Sequence, residues 1–377
     1  MTLHMKICKK CIQPDTRPDI FFTEDGVCGA CLWEEEKKLI DWDAREKELS
    51  DIANWAKEKN SDYDCVIGVS GGKDSTTQAI IAKEKLGLHC LLVNGEPDNA
   101  TELGKENIEN LKNLGFDVIS LRPNPKVLRT LVKRDFYKYL NPVKVTEYTL
   151  WASAYIIAEK FNIPLIIQGQ NIGLTVGASN SPLGKGSDAL KINECDTLSA
   201  GWQDYLEVKD VNEKDLIFYR YDRQRLEKKG IRAIWLQYFM KEWSDRGNAE
   251  FSKQYGVKWR EEGFDPSSIG TYVPYVQLDS SLHQVNQMLK HIKLGFGECM
   301  DHACYDIREG RITRQEGIDL VKKYDGKCGQ SYIDNFCKFL NISLDEFWKI
   351  SNSFRGPMWI KDKDDNWYNK YWDELKN

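Results

Sequence analysis

Tyr63-Asp-Cys-Val-Ile-Gly-Val-Ser-Gly-Gly-Lys-Asp-Ser75 is the stretch whose reading decides the fold. Val66, Ile67 and Val69 make a short apolar run that reads as a buried strand. Gly71 and Gly72 follow at once, and a helical pattern opens at Asp74 and runs through Ala79, Ile80 and Ala82 to Leu86. Strand, glycine turn and helix form an anion site by construction. Backbone N–H groups at the helix start face the anion, and glycines let it approach closely. Ser70 and Ser75 add hydroxyl donors, and Lys73 adds a mobile positive charge.

The loop is not a Walker A, which needs four residues between its glycines and a Gly-Lys-Ser/Thr end. Ser70-Gly-Gly-Lys-Asp-Ser75 is shorter and carries an acid. It resembles the pyrophosphate loop of the ATP pyrophosphatase (PP-loop) superfamily. That resemblance implies that ATP is cut between its α and β phosphates and that a substrate oxygen is adenylated. Ser70, Gly71, Gly72, Lys73, Asp74 and Ser75 would then hold the departing pyrophosphate.

Outward from this loop the pattern alternates. Strands are expected at 64–69, 89–94, 117–121 and 164–168, with a helix at 74–86 and another carrying Leu103, Ile108, Leu111 and Leu114. Thr146 reads as the cap of a further helix through Leu150, Ala154, Ile157 and Phe161. Short apolar strands alternating with amphipathic helices predict an α/β fold, a doubly wound parallel sheet with helices on both faces. Ligands in such sheets sit beyond the carboxyl ends of the strands. That gathers Ser70, Asn94 and the run Gln168-Gly169-Gln170-Asn171 around one crevice. The PP-loop resemblance puts Val93 and Asn94 near the adenine and Gln168 and Gly169 in the nucleotide site.

Upstream, Cys8-x-x-Cys11 and Cys28-x-x-Cys31 are separated by sixteen residues. Two such knuckles bring four thiolates to tetrahedral reach, as a structural Zn²⁺ site requires. An iron–sulfur cluster has the same ligands. Residues 33 to 60 read as a charged bridging helix with Leu49, Ile52, Ala53 and Ala56 on one side. The implied organisation is a zinc ribbon and linker over 1–45, a nucleotide-binding α/β domain over 46–200, and a mainly helical region over 201–377.

Downstream, the Gly-, Ser- and Asn-rich run 172–201 reads as a lid or substrate loop, with plain disorder as the competing reading. Ile231 to Met240 reads as one more strand, and Thr313/Glu316 and Ser343/Glu346 read as capping boxes. Aromatics from Trp359 to Trp372 are read as anchoring the tail, with stacking on a sugar or base as the other use. The run Lys290 to Arg311 concentrates His291, Lys293, Asp301, His302, Asp306, Arg308 and Arg311 around two glycines. Amide activation needs positive charge for an anionic substrate and an acceptor for the proton of an attacking amine. Asp301 or His302 would serve as that acceptor.

The double Cys-x-x-Cys, the Ser-Gly-Gly-Lys-Asp-Ser loop and the Gly295-Phe-Gly…Asp301-His-Ala…Asp306-Ile-Arg…Gly310-Arg segment followed by Tyr324-Asp-Gly together resemble one family. It is the N-acetyl sugar amidotransferases, acetamidino-forming enzymes of bacterial O-antigen and flagellin-sugar pathways. The resemblance implies ATP and Mg²⁺, adenylation of an N-acetyl oxygen on a sugar, and displacement of AMP by ammonia. Many members carry an acid in the Gly-Glu-Asn after the 164–168 strand. Here it is Gly169-Gln170-Asn171, so no role of that acid carries over.

Neither an N-terminal cysteine nor a Gly-x-Cys-x-Gly elbow is present. A separate glutaminase subunit supplying ammonia is therefore the implied partner. A net charge of −5 argues against nucleic acid as that partner. It also weighs against the rival reading, a PP-loop tRNA thiolase. A zinc-ribbon interaction protein with a degenerate nucleotide site is the non-enzymatic rival, and the intact loop argues against it. No run approaches the roughly 18 apolar residues of a membrane span. An odd count of eleven cysteines with no signal-like start fits a cytoplasmic, reduced protein.

Overall fold

The computed structural model describes residues 6–181, 183–195, 198 and 201–370. The chain opens with the two cysteine knuckles and helix α1 (Gly29–Glu36), followed by α2 (Trp42–Lys57). The expected single bridging helix is thus two helices. A 3₁₀ turn at Lys37–Leu39 separates them, and Asp41 starts α2 by accepting the Ala44 N–H. Leu49, Ile52, Ala53 and Ala56 are buried together with Ile67, Val69 and Leu92 of the sheet. This i, i+3, i+4, i+7 stripe makes α2 a layer of the core as well as a bridge.

Five parallel strands follow: β1 (Cys65–Val69), β2 (Cys90–Gly95), β3 (Asp117–Leu121), β4 (Leu165–Gln168) and β5 (Arg232–Trp235), in the order β3-β2-β1-β4-β5. Between them run α3 (Lys73–Ile80), which continues as a π-helix over Ile81–Lys85, α4 (Glu102–Asn113), α5 (Pro125–Tyr139), α6 (Lys144–Phe161), α7 (Ile172–Thr175) and α8 (Arg223–Lys228). Side chains alternate along the strands. Ile67, Leu92 and Ile167 face the layer that holds α2 and α4, while Val66, Leu91, Val93 and Ile166 face the layer built on α5 and α6. Helices on both faces explain why the strands read as unbroken apolar runs.

The remaining chain is α9 (Asp245–Gln254), α10 (Pro266–Ile269), α11 (Leu282–Leu294), α12 (Glu298–Arg308), α13 (Arg314–Tyr324), α14 (Gln330–Leu340) and α15 (Leu344–Ser353), closed by the hairpin β6 (Trp359–Lys361) and β7 (Trp367–Asn369). Phe336 and Phe347 pack on Phe136 of α5, the Phe347 ring stacked at 5.6 Å between centroids. The late helices thereby share the core of the second sheet layer. The fifth strand also comes from beyond residue 200, so this part of the chain completes the sheet itself.

Local expectations fare unequally. Thr313 and Glu316 form a reciprocal capping box, and Ser343 accepts the Glu346 N–H. Thr146 is not a cap. Helix α6 starts two residues earlier, and the Thr146 hydroxyl donates back to the Val143 carbonyl. The run 231–240 is strand only as far as Trp235, then turns as 3₁₀ at Leu236–Phe239. Within 172–201, the described residues are tied down by backbone bonds such as Trp235 N–H to Ser187 O at 2.8 Å and Ala189 N–H to Ala233 O at 3.0 Å. The tail is anchored: Trp359 Nε1 donates to Ile292 O at 2.7 Å and Asn369 Nδ2 to Gly295 O at 2.9 Å. Residues 371–377, which include Trp372, lie outside the described part.

The strand order has a direct consequence. The chain leaves β1 toward β2 and β3, then returns to β4 on the other flank of β1. The topological switch therefore lies between β1 and β4, and that is where an open parallel sheet takes its ligand. Gly71, at the mouth of this switch, has φ +76°. A Cβ there would stand 3.0 Å from Asn107 Cβ, and Asn107 is pinned to Lys258 through both its amide oxygen and nitrogen. Gly71→Ala is expected to cost about 1–2 kcal/mol of stability from the left-handed backbone alone. Urea denaturation measures it, and an unchanged midpoint would contradict the strain.

Candidate active site

The loop Ser70–Ser75 connects β1 to α3. Gly72 is extended and precedes the first helical residue, Lys73. The N–H groups of the first turn have no partner within the helix, so they offer themselves to an anion. The Ser70 N–H donates to Ser75 Oγ at 3.4 Å, and Ser75 Oγ donates to the Gly72 carbonyl at 3.2 Å, which holds the loop in shape.

Lys73 is buried. Its ammonium sits 2.6 Å from Asp74 Oδ2 and 2.8 Å from Asp245 Oδ1. Burial alone would lower its pKa, but the two carboxylates outweigh it and hold the group above the usual lysine range. Asp245 shows the mirror effect: burial pushes it up, and Lys73 and His302 bring it below the usual carboxylate value. Asn248, one turn along α9, donates from Nδ2 to Asp74 Oδ1 at 2.8 Å. Helix α9 thus orders the loop end of α3, although the sequence around 245–248 carries no motif.

A crevice of about 340 Å³ runs from this loop over the end of β4 to the segment 275–279 and the face of α12. It brings Ser70, Gly72, Lys73, Asp74 and Ser75 together with Gln168, Gly169, Asp301 and His302. Val93 and Asn94 are not among its lining residues; Val93 is fully buried in the sheet core, and Asn94, also buried, is in register with Val69 at the end of β1. The crevice also holds groups that sequence reading passed over: Asp245, Tyr275, Asp279, His283 and Glu298. Of these, Glu298 alone stood inside a stretch already singled out.

Two neighbours on α12 have different surroundings. Asp301 is ion-paired with Arg17 from the N-terminal ribbon and with Lys290 at 2.9 Å. Burial raises its pKa, but Arg17 and Lys290 hold it below the usual value, which makes it a weak proton acceptor. His302 is buried, with Nδ1 2.9 Å from Thr271 Oγ1. Its Nε2 lies 3.9 Å from Asp245 Oδ2 and 3.8 Å from Glu298 Oε1, facing both carboxylates without bonding either.

The other charged residues of that segment hold structure. Asp306 accepts the Tyr272 hydroxyl at 2.6 Å. Asp325 accepts the N–H groups of Gly297 at 2.7 Å and Met300 at 3.2 Å, so it caps α12 from outside. A Cβ at Gly297 would meet that carboxylate at 2.8 Å. The glycine and the Tyr324-Asp-Gly turn are therefore two halves of one clamp on the start of α12.

Cys8, Cys11, Cys28 and Cys31 converge, with Cys8–Cys31 sulfurs 3.8 Å apart and Cys11–Cys28 sulfurs 3.7 Å apart. A tetrahedral Zn²⁺ with Zn–S of about 2.3 Å requires edges of about 3.8 Å, so the set fits. Backbone N–H groups of Gln13 and Cys28 donate to Cys11 and Cys8 sulfurs, at 3.4 and 3.3 Å, which stabilises thiolate charge. This knot packs on Phe296, Met300, Ala303 and Cys304 of the α12 region. The ribbon therefore backs the helix that presents Asp301 and His302.

A sequence profile described as the LPS biosynthesis protein WbpG-like C-terminal domain matches residues 267–376, less than half of the chain. That stretch supplies Tyr275, Asp279, His283, Glu298, Asp301 and His302 to the crevice. Among solved structures, NMN synthetase from Francisella tularensis is 14% identical over 60% of this chain and 100% of its own, with a TM-score of 0.29. The NH3-dependent NAD synthetase from Campylobacter jejuni subsp. jejuni NCTC 11168, in complex with the nitrate ion, is 16% identical over 59% of this chain and 99% of its own, also at 0.29. NAD+ synthetase from Burkholderia pseudomallei is 16% identical over 57% and 87%, at 0.27. Likeness this distant carries no inference about activity. No curated protein matches the chain.

Three outcomes are expected from this geometry. Elemental analysis should give about one zinc per chain, and chelation should loosen the ribbon; iron with visible charge-transfer bands would replace zinc by a cluster. Arg17→Ala should destabilise by about 2–3 kcal/mol, less than a wholly stranded buried charge because Lys290 remains. For His283, burial lowers the pKa but Asp279, 3.4 Å away, raises it above 6.5. The pair's contribution is full below about pH 6.5 and is lost as pH rises through the higher folded value. Wild type should therefore lose stability as pH rises above about 6.5, and His283→Gln should not. Denaturation midpoints over a rising pH series decide it.

Proposed function

We propose that this chain is an ATP-dependent amidotransferase that makes AMP and pyrophosphate. It adenylates the oxygen of an N-acetyl group on a sugar, and ammonia displaces AMP to leave an acetamidino group. One observation carries the reading: the anion loop at Ser70–Ser75 and the acid–base group at Asp245 and His302 share one crevice at the switch point of the sheet. The profile match to a lipopolysaccharide-biosynthesis domain supports a sugar substrate.

An amide oxygen leaves poorly until it carries a nucleotide. The cradle at 70–75 holds the phosphates that depart, and Lys73, kept charged by Asp74 and Asp245, stabilises their negative charge. The crevice is lined by the carboxylates Asp74, Asp245, Asp279, Glu298 and Asp301, so a triphosphate enters only with added cations. Asp74 and Asp245 are the oxygen donors suited to Mg²⁺, which would supply that neutralising charge. His302 takes the proton of the attacking amine through Nε2, with Thr271 setting the ring and Asp245 and Glu298 facing that nitrogen. Asp301 orients Lys290 and Arg17. Ammonia comes from a separate glutaminase subunit.

The thiolase alternative typically brings cysteines to the reacting centre, for sulfur transfer or to hold a cluster. None of the described residues lining the crevice is a cysteine.

Incubation with ATP, ammonium and a panel of nucleotide-linked N-acetyl sugars is expected to release AMP rather than ADP. The product should be lighter by the difference between an oxygen and an imino nitrogen. Lys73→Ala should lower kcat by about 10²–10³. ADP as the nucleotide product, or near-wild-type turnover in that variant, would overturn the mechanism.

A further inference from the structure

His302 is 3% exposed and lines the crevice. Its Nδ1 is engaged by Thr271 Oγ1 at 2.9 Å. Its Nε2 has no hydrogen-bond partner among the described residues. Asp245 Oδ2 stands 3.9 Å from it and Glu298 Oε1 3.8 Å, both beyond hydrogen-bond length. A polar atom buried in that state costs free energy that a bound partner restores.

The two carboxylates are each divided in the same way. Asp245 gives Oδ1 to Lys73 at 2.8 Å and turns Oδ2 toward His302. Glu298 has Oε2 4.0 Å from Lys290 and turns Oε1 toward His302. Tyr275 also bonds Asp245, and a carboxylate oxygen accepts more than one hydrogen bond. With the Nδ1 proton directed at Thr271, Nε2 presents a lone pair, and three acceptors border one gap.

Such a gap suits a ligand that only donates. The charge of the crevice asks for a cation, since five carboxylates line it against Lys73 and the Asp279-paired His283. An ammonium ion has four N–H donors and no acceptor. Hydrogen bonds of about 2.9 Å to a tetrahedral donor reach acceptors up to about 4.7 Å apart, which covers the spacing here. Zn²⁺, at about 2.0–2.1 Å from nitrogen and oxygen, sets neighbouring tetrahedral ligands only about 3.4 Å apart. Mg²⁺ takes oxygen ligands and has no use for the imidazole.

We propose that Asp245, Glu298 and Nε2 of His302 form a binding site for ammonium. The assignment deepens the amidotransferase reading and rests on it for the use made of the ion, not for its binding. Asp245 touches both Lys73 at the anion loop and this gap. The ion is therefore held next to the phosphate cradle, against the ring nitrogen that takes its proton.

The chain has five histidines, so the ring signals of histidine-labelled protein are few, and the signal missing from His302→Gln assigns that residue. Ammonium chloride, added at fixed pH to the full chain without ATP or sugar, is expected to shift it. Equal concentrations of tetramethylammonium chloride, which has no N–H, and of potassium chloride should not. Glu298→Gln should weaken the ammonium response about tenfold, the scale of one hydrogen bond to a charged group. Asp325 supplies the cap of α12, so this variant keeps the helix start. A signal that ignores ammonium, follows all three salts alike, or keeps its full response in the variant overturns the site, and so does a shift that only zinc chloride brings. With the panel of N-acetyl sugars, Glu298→Gln should raise KM for ammonium about tenfold and leave KM for ATP and sugar within about twofold; an unchanged KM for ammonium counts against the site. Ammonium binding as described, with no AMP formed from any sugar, would leave the site standing and overturn the amidotransferase reading instead.

Discussion

A buried ammonium between two carboxylates is the constraint on which the site depends. Lys73 is out of water, and only Asp74 and Asp245 make its charge tolerable there. Asp74 is its neighbour on α3, whereas Asp245 arrives from a helix more than 170 residues later in the chain. The pairing therefore joins the phosphate loop to α9, and through Asp245 to His302 on α12. Removing both carboxylates would strand a buried positive charge, and removing either leaves a single ion pair. The same arrangement keeps a full positive charge at the helix terminus where anionic oxygens are expected.

The second support is mechanical. Helix α12 bears His302, and it is held at three points. Asp325 caps its first turn, Arg17 of the ribbon takes Asp301, and the cysteine knot packs along its buried side. A cysteine cluster some 270 residues away in sequence thus acts at close range on the helix that carries His302. This gives the ribbon a purpose in the fold without any chemistry of its own. All four ligand positions of a tetrahedral ion would be filled by sulfur, leaving no opening for substrate.

Much of this was legible in the residues. The hexapeptide 70–75, the two knuckles and the alternation of strands and helices are local signals, and local signals survive in a sequence. Asp301 and His302, singled out because charge and glycine concentrate there, line the crevice. Asp245, Asp279 and His283 line it too, and each is an unremarked polar residue until the chain brings it there. Val93 and Asn94, which the PP-loop resemblance puts near the adenine, do not line the crevice. Strand order is not written in the strand pattern. With β1 flanked by β2 and β4, the crevice opens on the β4 side.

What the sequence by itself determined is the local parts: a glycine loop opening a helix, four cysteines in two knuckles and an α/β sheet. Each follows from residues a few positions apart, whose mutual geometry the backbone dictates. What only the tertiary structure decided is which of those groups come together, and in what surroundings. Asp301 and His302 are adjacent in the chain, yet one is held between two cations while the other faces two carboxylates. Burial and neighbouring charge, not residue type, separate them. Those depend on contacts between segments far apart in the chain, and on which flank of β1 the chain returns.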